Sequence, residues 1–253
     1  MGADARLPLG LGDMRVRRWG RASGAAAVGA GARLPVDEDT CAFAAQGGQL
    51  EVLRWAQEHG CEWDEWTCAR AAAGGHLEVL RWARERGCPW SEDEDEGDDD
   101  EYCKNCCARA ARGGHLEVLK WLREHHCPWD EWTCLQAAAG GHVEVLQWAR
   151  EHGCPWEEDI ESSDRDCCAH AAAGGQLEVL MWLRKHDCRW DAYTCAFAAR
   201  GGHLEVLTWA REHHCPWGEE TCAHAVHGGH LEVLRWAIEH GCPGSEGYAH
   251  HLA

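Results

Sequence analysis

The chain has 253 residues, 45% of them hydrophobic, and a formal net charge of −19 at pH 7. This negative charge, without a stripe of basic and aromatic residues, argues against nucleic-acid binding. The sequence has no run of about 18 or more apolar residues, so we expect no membrane-spanning helix and no membrane partner.

The first 36 residues differ in charge from the rest of the chain. Six Arg against Asp4 and Asp13 give this segment a charge of +4, which leaves −23 on the remainder. Its apolar stretch is Gly-rich and too short for the core of a signal peptide. We therefore expect residues 1–36 to be a disordered basic leader rather than an organelle transit peptide. We expect a cytoplasmic protein, with a nuclear location left open.

A sequence repeat occupies residues 37–253. Pairs of adjacent Gly begin at positions 47, 74, 113, 140, 174, 201 and 228, with spacings of 27, 39, 27, 34, 27 and 27 residues. The units are 40–66, 67–105, 106–132, 133–166, 167–193, 194–220 and 221–247, followed by a partial unit, 248–253. Sixteen Trp against two Phe and three Tyr also indicate that one Trp-bearing unit was copied.

Each unit predicts two short antiparallel helices separated by the Gly-Gly pair. Ala favours helix and Gly ends it. In the second unit, Cys68, Ala71 and Ala72 share one narrow face of the first helix, and we expect Thr67 to cap it. The apolar residues of the second helix cover a broad arc, which predicts stacking between neighbouring units with its Trp82-type residue buried.

Residues 71–80, Ala-Ala-Ala-Gly-Gly-His-Leu-Glu-Val-Leu, resemble the helix-turn-helix centre of an ankyrin repeat. The resemblance implies an all-α repeat solenoid of about seven repeats plus partial caps. The usual ankyrin period is about 33 residues and its Thr-Pro-Leu-His element is absent here. We therefore expect the projecting hairpin of ankyrin repeats to be reduced to a tight turn, which moves the predicted binding surface to the first helices.

Two insertions of 12 and 7 residues follow the second and fourth units, where loops can grow outward at low cost. Residues 91–101 contain nine acidic side chains, and residues 157–166 are a milder version. We expect both segments to be solvated and disordered, with capture of a basic partner by the acidic loop 91–101 as the alternative.

Fourteen of the 17 Cys occupy two positions of the repeat, so we interpret them as small buried spacers. Cys61 and Cys68 are candidates to meet across a turn. Cys103 and Cys106 form a lone CxxC without a second half at zinc spacing, so we predict no metal site and no cofactor. The His near the ends of the second helices are interpreted as capping and surface residues.

No phosphate-binding loop, dinucleotide fingerprint, zinc-protease motif or nucleophile elbow occurs in the chain, so we predict no enzymatic activity. The fourth position of the first helix and the position after its Ala pair vary between units, whereas the packing residues do not. We predict that these positions bind a protein partner: Phe43, Gln46, Arg70, Arg109, Arg112, Gln136, His170, Phe197, Arg200, His224 and His227.

The leading functional hypothesis is therefore a protein-protein interaction scaffold, acting as a monomer on an unknown protein partner. Two alternatives stay open: a Cys/His-rich metal-binding or redox-responsive protein, and a structural spacer with no dedicated ligand.

Overall fold

The computed structural model describes residues 38–61, 63–90, 105–155 and 166–252. The chain divides into two compact units, residues 1–96 and 97–253. The expected leader 1–36 and the acidic loop 91–101 lie outside the described residues. Within those residues there are 14 α-helices and no β-strand, as expected for an all-α repeat solenoid.

The helices occur in seven pairs. In the first compact unit they are α1 Glu38–Gln46, α2 Leu50–Glu58, α3 Glu65–Ala73 and α4 Leu77–Glu85. In the second they are α5 Cys106–Arg112, α6 Leu116–Glu124, α7 Glu131–Gly140, α8 Val143–Glu151, α9 Cys167–Ala173, α10 Leu177–Lys185, α11 Ala192–Arg200, α12 Leu204–Glu212, α13 Glu219–His227 and α14 Leu231–Glu239. Odd-numbered helices are first helices and even-numbered helices are second helices.

The first helices begin earlier than the sequence predicted. In α3 the cap is Asp64, whose carboxylate accepts a hydrogen bond from Thr67 N at 3.2 Å. Thr67 is fully buried inside the helix, so its prediction as the cap was wrong. The Asp64 oxygen satisfies an amide of the first turn, so the cap lies three residues before the predicted position.

The Gly-Gly pair ends each first helix in the predicted place. After α3, Gly75 adopts φ +75° and the amide of His76 donates to Ala71 O at 3.0 Å. The second helix, α4, then starts at Leu77. We call this the inner turn. The turn after each second helix, at Gly87 in this repeat, is the outer turn. Its connector contains no strand wherever the structure describes it, which agrees with a reduced hairpin.

The core lies between the two helices of each repeat and between consecutive first helices. Ala71, Ala72 and Leu80 are fully buried, because small residues on the first helix let the neighbouring backbone approach closely. In each compact unit, first helices pack on first helices. At the end of the described chain, a 3₁₀ helix, Ser245–Leu252, packs on α13 and α14 as a cap.

The Trp of the second helices are less buried than the sequence predicted. Trp82 and Trp121 are buried, whereas Trp55, Trp148, Trp182, Trp209 and Trp236 stay partly exposed. The ring of each of these five Trp packs against the ring of the His four residues later in the chain. Trp209, for example, stacks on His213 with ring centres 4.1 Å apart and meets Trp190 edge-on at 5.9 Å.

Candidate protein-interaction surface

The predicted binding residues fall on two rows of the first helices. The row at the fourth helical position contains Phe43, Arg70, Arg109, Gln136, His170, Phe197 and His224. The row at the inner turn contains Gln46, Arg112, Arg200 and His227, all exposed. In the first row Phe43 is 37% exposed, and the others except Gln136 are partly exposed.

Gln136 departs from this pattern because it is only 3% exposed. The guanidinium of Arg112, from the preceding repeat, donates to Gln136 Oε1 at 2.6 Å. The Gln136 side chain therefore lies inside the solenoid and serves as an anchor for Arg112. Arg112 itself is exposed.

In the first compact unit the rows form one contact cluster. The Arg70 guanidinium lies 5.7 Å from the Phe43 ring and 5.8 Å from the Trp66 ring, both within cation-π range. Arg70 also donates to Gln46 Oε1 at 3.2 Å. Two consecutive repeats thus present one aromatic and basic patch, which we call the Phe43 patch: Phe43, Gln46, Trp66 and Arg70.

The second compact unit carries a corresponding aromatic cluster. The Phe197 ring meets His224 edge-on with centres 5.6 Å apart, and it lies 6.3 Å from the ring of Tyr193, which is 39% exposed. Burial lowers the pKa of His224, and its buried Nδ1 has no hydrogen-bond partner. At neutral pH His224 therefore presents an uncharged ring. We call Tyr193, Phe197 and His224 the Phe197 patch.

The His of the Gly-Gly-His motif has a role that the sequence did not predict. His76 Nε2 lies 2.9 Å from Gln46 O in the preceding repeat, and His203 Nε2 lies 3.0 Å from Ala173 O. His142 makes the equivalent contact with Arg112 O at 3.0 Å. These rings connect consecutive repeats. The sequence contained a signal for this role, because the His of the motif recurs at a fixed position of the repeat.

The His at the ends of the second helices behave as predicted caps. His59 Nδ1 lies 2.7 Å from Trp55 O, and His213 Nδ1 lies 2.8 Å from Trp209 O. His125, His152, His186 and His240 make the same contact at 2.8 Å. The rings satisfy helix-terminal carbonyls, which leaves no need for a metal to explain their position.

The Cys of each repeat meet in pairs that differ from the predicted one. Cys61 is joined to Cys41 in a disulfide, and Cys68 Sγ lies 3.2 Å from Cys88 Sγ. The expected contact of Cys61 with Cys68 is therefore wrong, because each Cys after an outer turn folds back on the first helix of its own repeat. Of the CxxC motif, Cys106 is buried at the start of α5 and Cys103 lies outside the described residues.

One group of ligand-type atoms has the spacing of a metal site in the part of the chain that the structure describes. A carboxylate oxygen of Asp166 and the sulfurs of Cys168 and Cys188 lie within 4.8 Å of one another. Burial raises the pKa of Asp166 to about 7. The thiol of Cys168 is hydrogen-bonded to Cys188, which together with burial raises its pKa far above the ordinary value. At neutral pH the Cys168 thiol is therefore protonated, whereas Asp166 is divided between its protonated and ionised forms.

Comparison with known proteins supports the ankyrin resemblance. Residues 106–150 match the family model described as ankyrin repeats in many copies. Among solved structures, the crystal structure of the human ASB11 ankyrin repeat domain is similar, with 16% identity, a TM-score of 0.49, and 73% of this chain and 85% of that chain covered. No curated protein matches. None of the helices among the described residues is long and apolar enough to cross a membrane.

The matched segment contains α5 to α8, two helix pairs joined by the same inner and outer turns as the other described pairs. The helix pair that the ankyrin-repeat family model matches in residues 106–150 therefore recurs in the other described pairs of both compact units.

Proposed function

We propose that this protein is an interaction scaffold that binds a protein partner through the Phe43 patch and the Phe197 patch. Ankyrin repeats generally serve as protein-interaction modules. The observation that carries this proposal is the contact of Arg70 with Phe43 and Gln46, which links variable side chains of two repeats into one exposed surface. Within the first compact unit, variable positions of two repeats are thereby neighbours on the first helices.

The chemistry of the two patches indicates the kind of partner. Aromatic residues and Arg are enriched among the residues that contribute most to binding energy at protein interfaces. Arg70 can pair with a carboxylate or a backbone carbonyl of the partner. Phe43 and Tyr193 offer apolar area that water covers in the free protein. A partner segment with apolar side chains beside an acidic residue would complement both features.

The experiment that tests this function is affinity capture from native extract with two matched variants. The first carries Phe43→Ala, Arg70→Ala, Arg109→Ala and Phe197→Ala on the first helices. The control carries Arg81→Ala, Met181→Ala, Leu231→Ala and Arg235→Ala, two Arg and two apolar residues exposed on the second helices.

We expect the first variant alone to lose a partner, while circular dichroism shows equal helicity for both variants and the unmodified chain. Equal capture by both variants and the unmodified chain would place binding elsewhere and overturn the proposal. Capture by none of the three would favour the structural-spacer hypothesis.

We further propose that the scaffold works as a cytoplasmic monomer without nucleic acid. The absence of nucleic acid is supported by composition, since the segment after residue 36 carries a charge of −23 that repels phosphate backbones. Size-exclusion chromatography with light scattering measures the oligomeric state, and imaging of a fluorescent fusion shows the location in the cell.

A further inference from the structure

Every repeat contains two Cys separated by 20 residues, one in the first helix and one directly after the outer turn. The pairs are Cys41–Cys61, Cys68–Cys88, Cys107–Cys127, Cys134–Cys154, Cys168–Cys188, Cys195–Cys215 and Cys222–Cys242. The insertions fall between repeats, so this separation is constant although the spacing of the repeats is not.

The two sulfurs of each pair are neighbours. Cys41 and Cys61 are joined in a disulfide with Cα atoms 6.8 Å apart, and the sulfurs of Cys68 and Cys88 are 3.2 Å apart. In the other five repeats the two thiols are hydrogen-bonded to each other. The fold therefore places a dithiol at the same point of all seven repeats.

Packing alone does not require this arrangement. The second Cys of several pairs donates a hydrogen bond to a backbone carbonyl, as Cys215 Sγ does to Asp191 O at 3.3 Å. The first Cys of the pair could be replaced by Ala, which occupies most of the other buried positions of the first helices. Two Cys can, in addition, form a disulfide bond between the first helix and the outer turn. Cys106 and Cys167, which precede the pair in the third and fifth repeats, are buried but lie outside the 20-residue pattern.

We propose that these seven dithiols are sites of reversible oxidation, each forming a disulfide within its own repeat. The oxidant is a small-molecule disulfide of the glutathione class. One thiolate attacks the oxidant, releasing one small thiol and forming a mixed disulfide. The second Cys of the pair then displaces the other small thiol. Two protein thiols are oxidised, one external disulfide is reduced to two thiols, and the protons pass to these products.

The repeats differ in how easily this exchange begins. Cys188 is partly exposed, whereas its counterparts in the other repeats are buried. The interior pairs react only when their repeat opens locally. Oxidation therefore starts at the Cys168–Cys188 pair and reaches the remaining pairs later.

Each new disulfide closes a loop of 20 residues that contains both helices of one repeat. Such a crosslink restricts the unfolded chain and stabilises the folded repeat. The effect is local because neighbouring repeats remain unlinked. Oxidation would thus stiffen the frame that presents the variable side chains without changing those side chains.

The first experiment uses the full unmodified chain, reduced and then equilibrated with oxidised glutathione under native conditions. Remaining thiols are alkylated after unfolding, and disulfide-linked peptides are identified by mass spectrometry. We expect Cys103, Cys106 and Cys167 to be alkylated and the other 14 Cys to be linked at a separation of 20 residues. Alkylation of all 17 Cys, or links between different repeats such as Cys61 with Cys68, would overturn the proposal.

A variant pair separates oxidation from packing. Cys195→Ala with Cys215→Ala should lose one linkage and part of the rise in Tm that oxidation causes. Cys106→Ala with Cys167→Ala should keep all seven linkages and the full rise. An equal rise in Tm for both variants would contradict the assigned pairing. If the first variant does not fold, the peptide map of the unmodified chain still decides the question.

A metal-binding role for the same thiols predicts a different result. The reduced protein is dialysed against Zn²⁺, passed over a desalting column and analysed for bound metal. We expect less than one equivalent per chain. Stoichiometric Zn²⁺ that is lost in Asp166→Asn, with Cys168 and Cys188 protected from alkylation, would overturn the dithiol assignment for the fifth repeat.

Discussion

Each repeat contains two tight turns with a residue at positive φ, yet the two turns accept different residues. At the inner turn this residue is Gly in all seven repeats, for example Gly175 at φ +71°. At the outer turn it is Gly in four repeats, for example Gly153 at φ +75°, but His126, Asp187 and His214 take the same position in the other three, at φ +59° to +66°. Backbone conformation is therefore not what restricts the inner turn to Gly.

The difference lies in what surrounds each turn. A Cβ added to Gly175 would lie 2.6 Å from Nδ1 of His203, whereas one added to Gly153 would have nothing within 4 Å. The His203 ring is held in place because its Nε2 contacts Ala173 O. The inner turn is an interface between repeats, and the outer turn is a surface loop. The repeat is thus most constrained where it meets its neighbour.

The largest expected effect comes from adding a methyl group at the inner turn. Gly175→Ala places a non-Gly residue in the left-handed region, which costs roughly 1–2 kcal/mol. Its Cβ would also clash with the His203 ring, and overpacking of this kind costs about 1–3 kcal/mol. We expect a loss of about 3 kcal/mol in the free energy of unfolding, measured with urea. Gly153→Ala is the matched control, with a loss of about 1 kcal/mol. Equal losses would show that the His203 ring does not restrict the inner turn.

This contrast also shows how much the sequence could predict. The Gly-Gly pairs and Ala runs predicted both helices of each repeat, and α3 and α4 lie on either side of Gly74 and Gly75 as expected. The contact between His76 and Gln46 O spans 30 residues, however. A consensus unit shows which residues recur but not which of them touch the next unit.

The positions of the variable residues were predictable to a similar extent. Variation between repeats indicated the rows on the first helices, but it could not show that Arg112 covers Gln136. The Cys pairs are different, because their constant separation of 20 residues was visible in the sequence. The Cys pairing proposed from the sequence, Cys61 with Cys68, considered only distance along the chain, whereas the helix pair brings together residues from its two ends.

The second prediction concerns the side-chain contacts that stabilise the outer turn. The Arg211 guanidinium donates to Cys215 O and lies 4.3 Å from the Trp217 ring. Arg211→Met keeps the aliphatic part of the side chain but removes both contacts. We expect a loss of about 2 kcal/mol, because hydrogen bonds from charged groups contribute about 1.5–3 kcal/mol.

The control for Arg211→Met is Lys120→Met, which removes an exposed ion pair with Glu117 at 2.8 Å. Exposed pairs of this kind contribute about 0.2–1 kcal/mol, so the control should change stability little. Equal losses in urea denaturation would mean that the outer turn does not depend on Arg211.

The third prediction concerns an exchange of His and Gln at the position after the Gly-Gly pair, where the His ring connects consecutive repeats. The fifth repeat has Gln176 in place of His, and its amide donates to Gly174 O of its own turn at 2.8 Å rather than to the preceding repeat. His203→Gln should therefore lower stability by about 1 kcal/mol and Gln176→His should raise it by about the same amount. Urea denaturation of both variants and their double mutant measures the two effects. If Gln176→His lowers stability, the proposed role of the ring is wrong.

The smallest effect is expected at Asp187, a non-Gly residue at φ +59° in an outer turn. Asp187→Gly relieves the left-handed strain of roughly 1–2 kcal/mol but increases the conformational freedom of the unfolded chain, which offsets part of the gain. We expect a net rise of about 0.5 kcal/mol in the free energy of unfolding. Asp187→Asn, which tolerates the left-handed region, should stay close to the unmodified protein. A marked loss of stability in Asp187→Gly would mean that the Asp187 side chain, and not the backbone alone, stabilises this turn, and the distinction between the two turns would then not hold in this repeat.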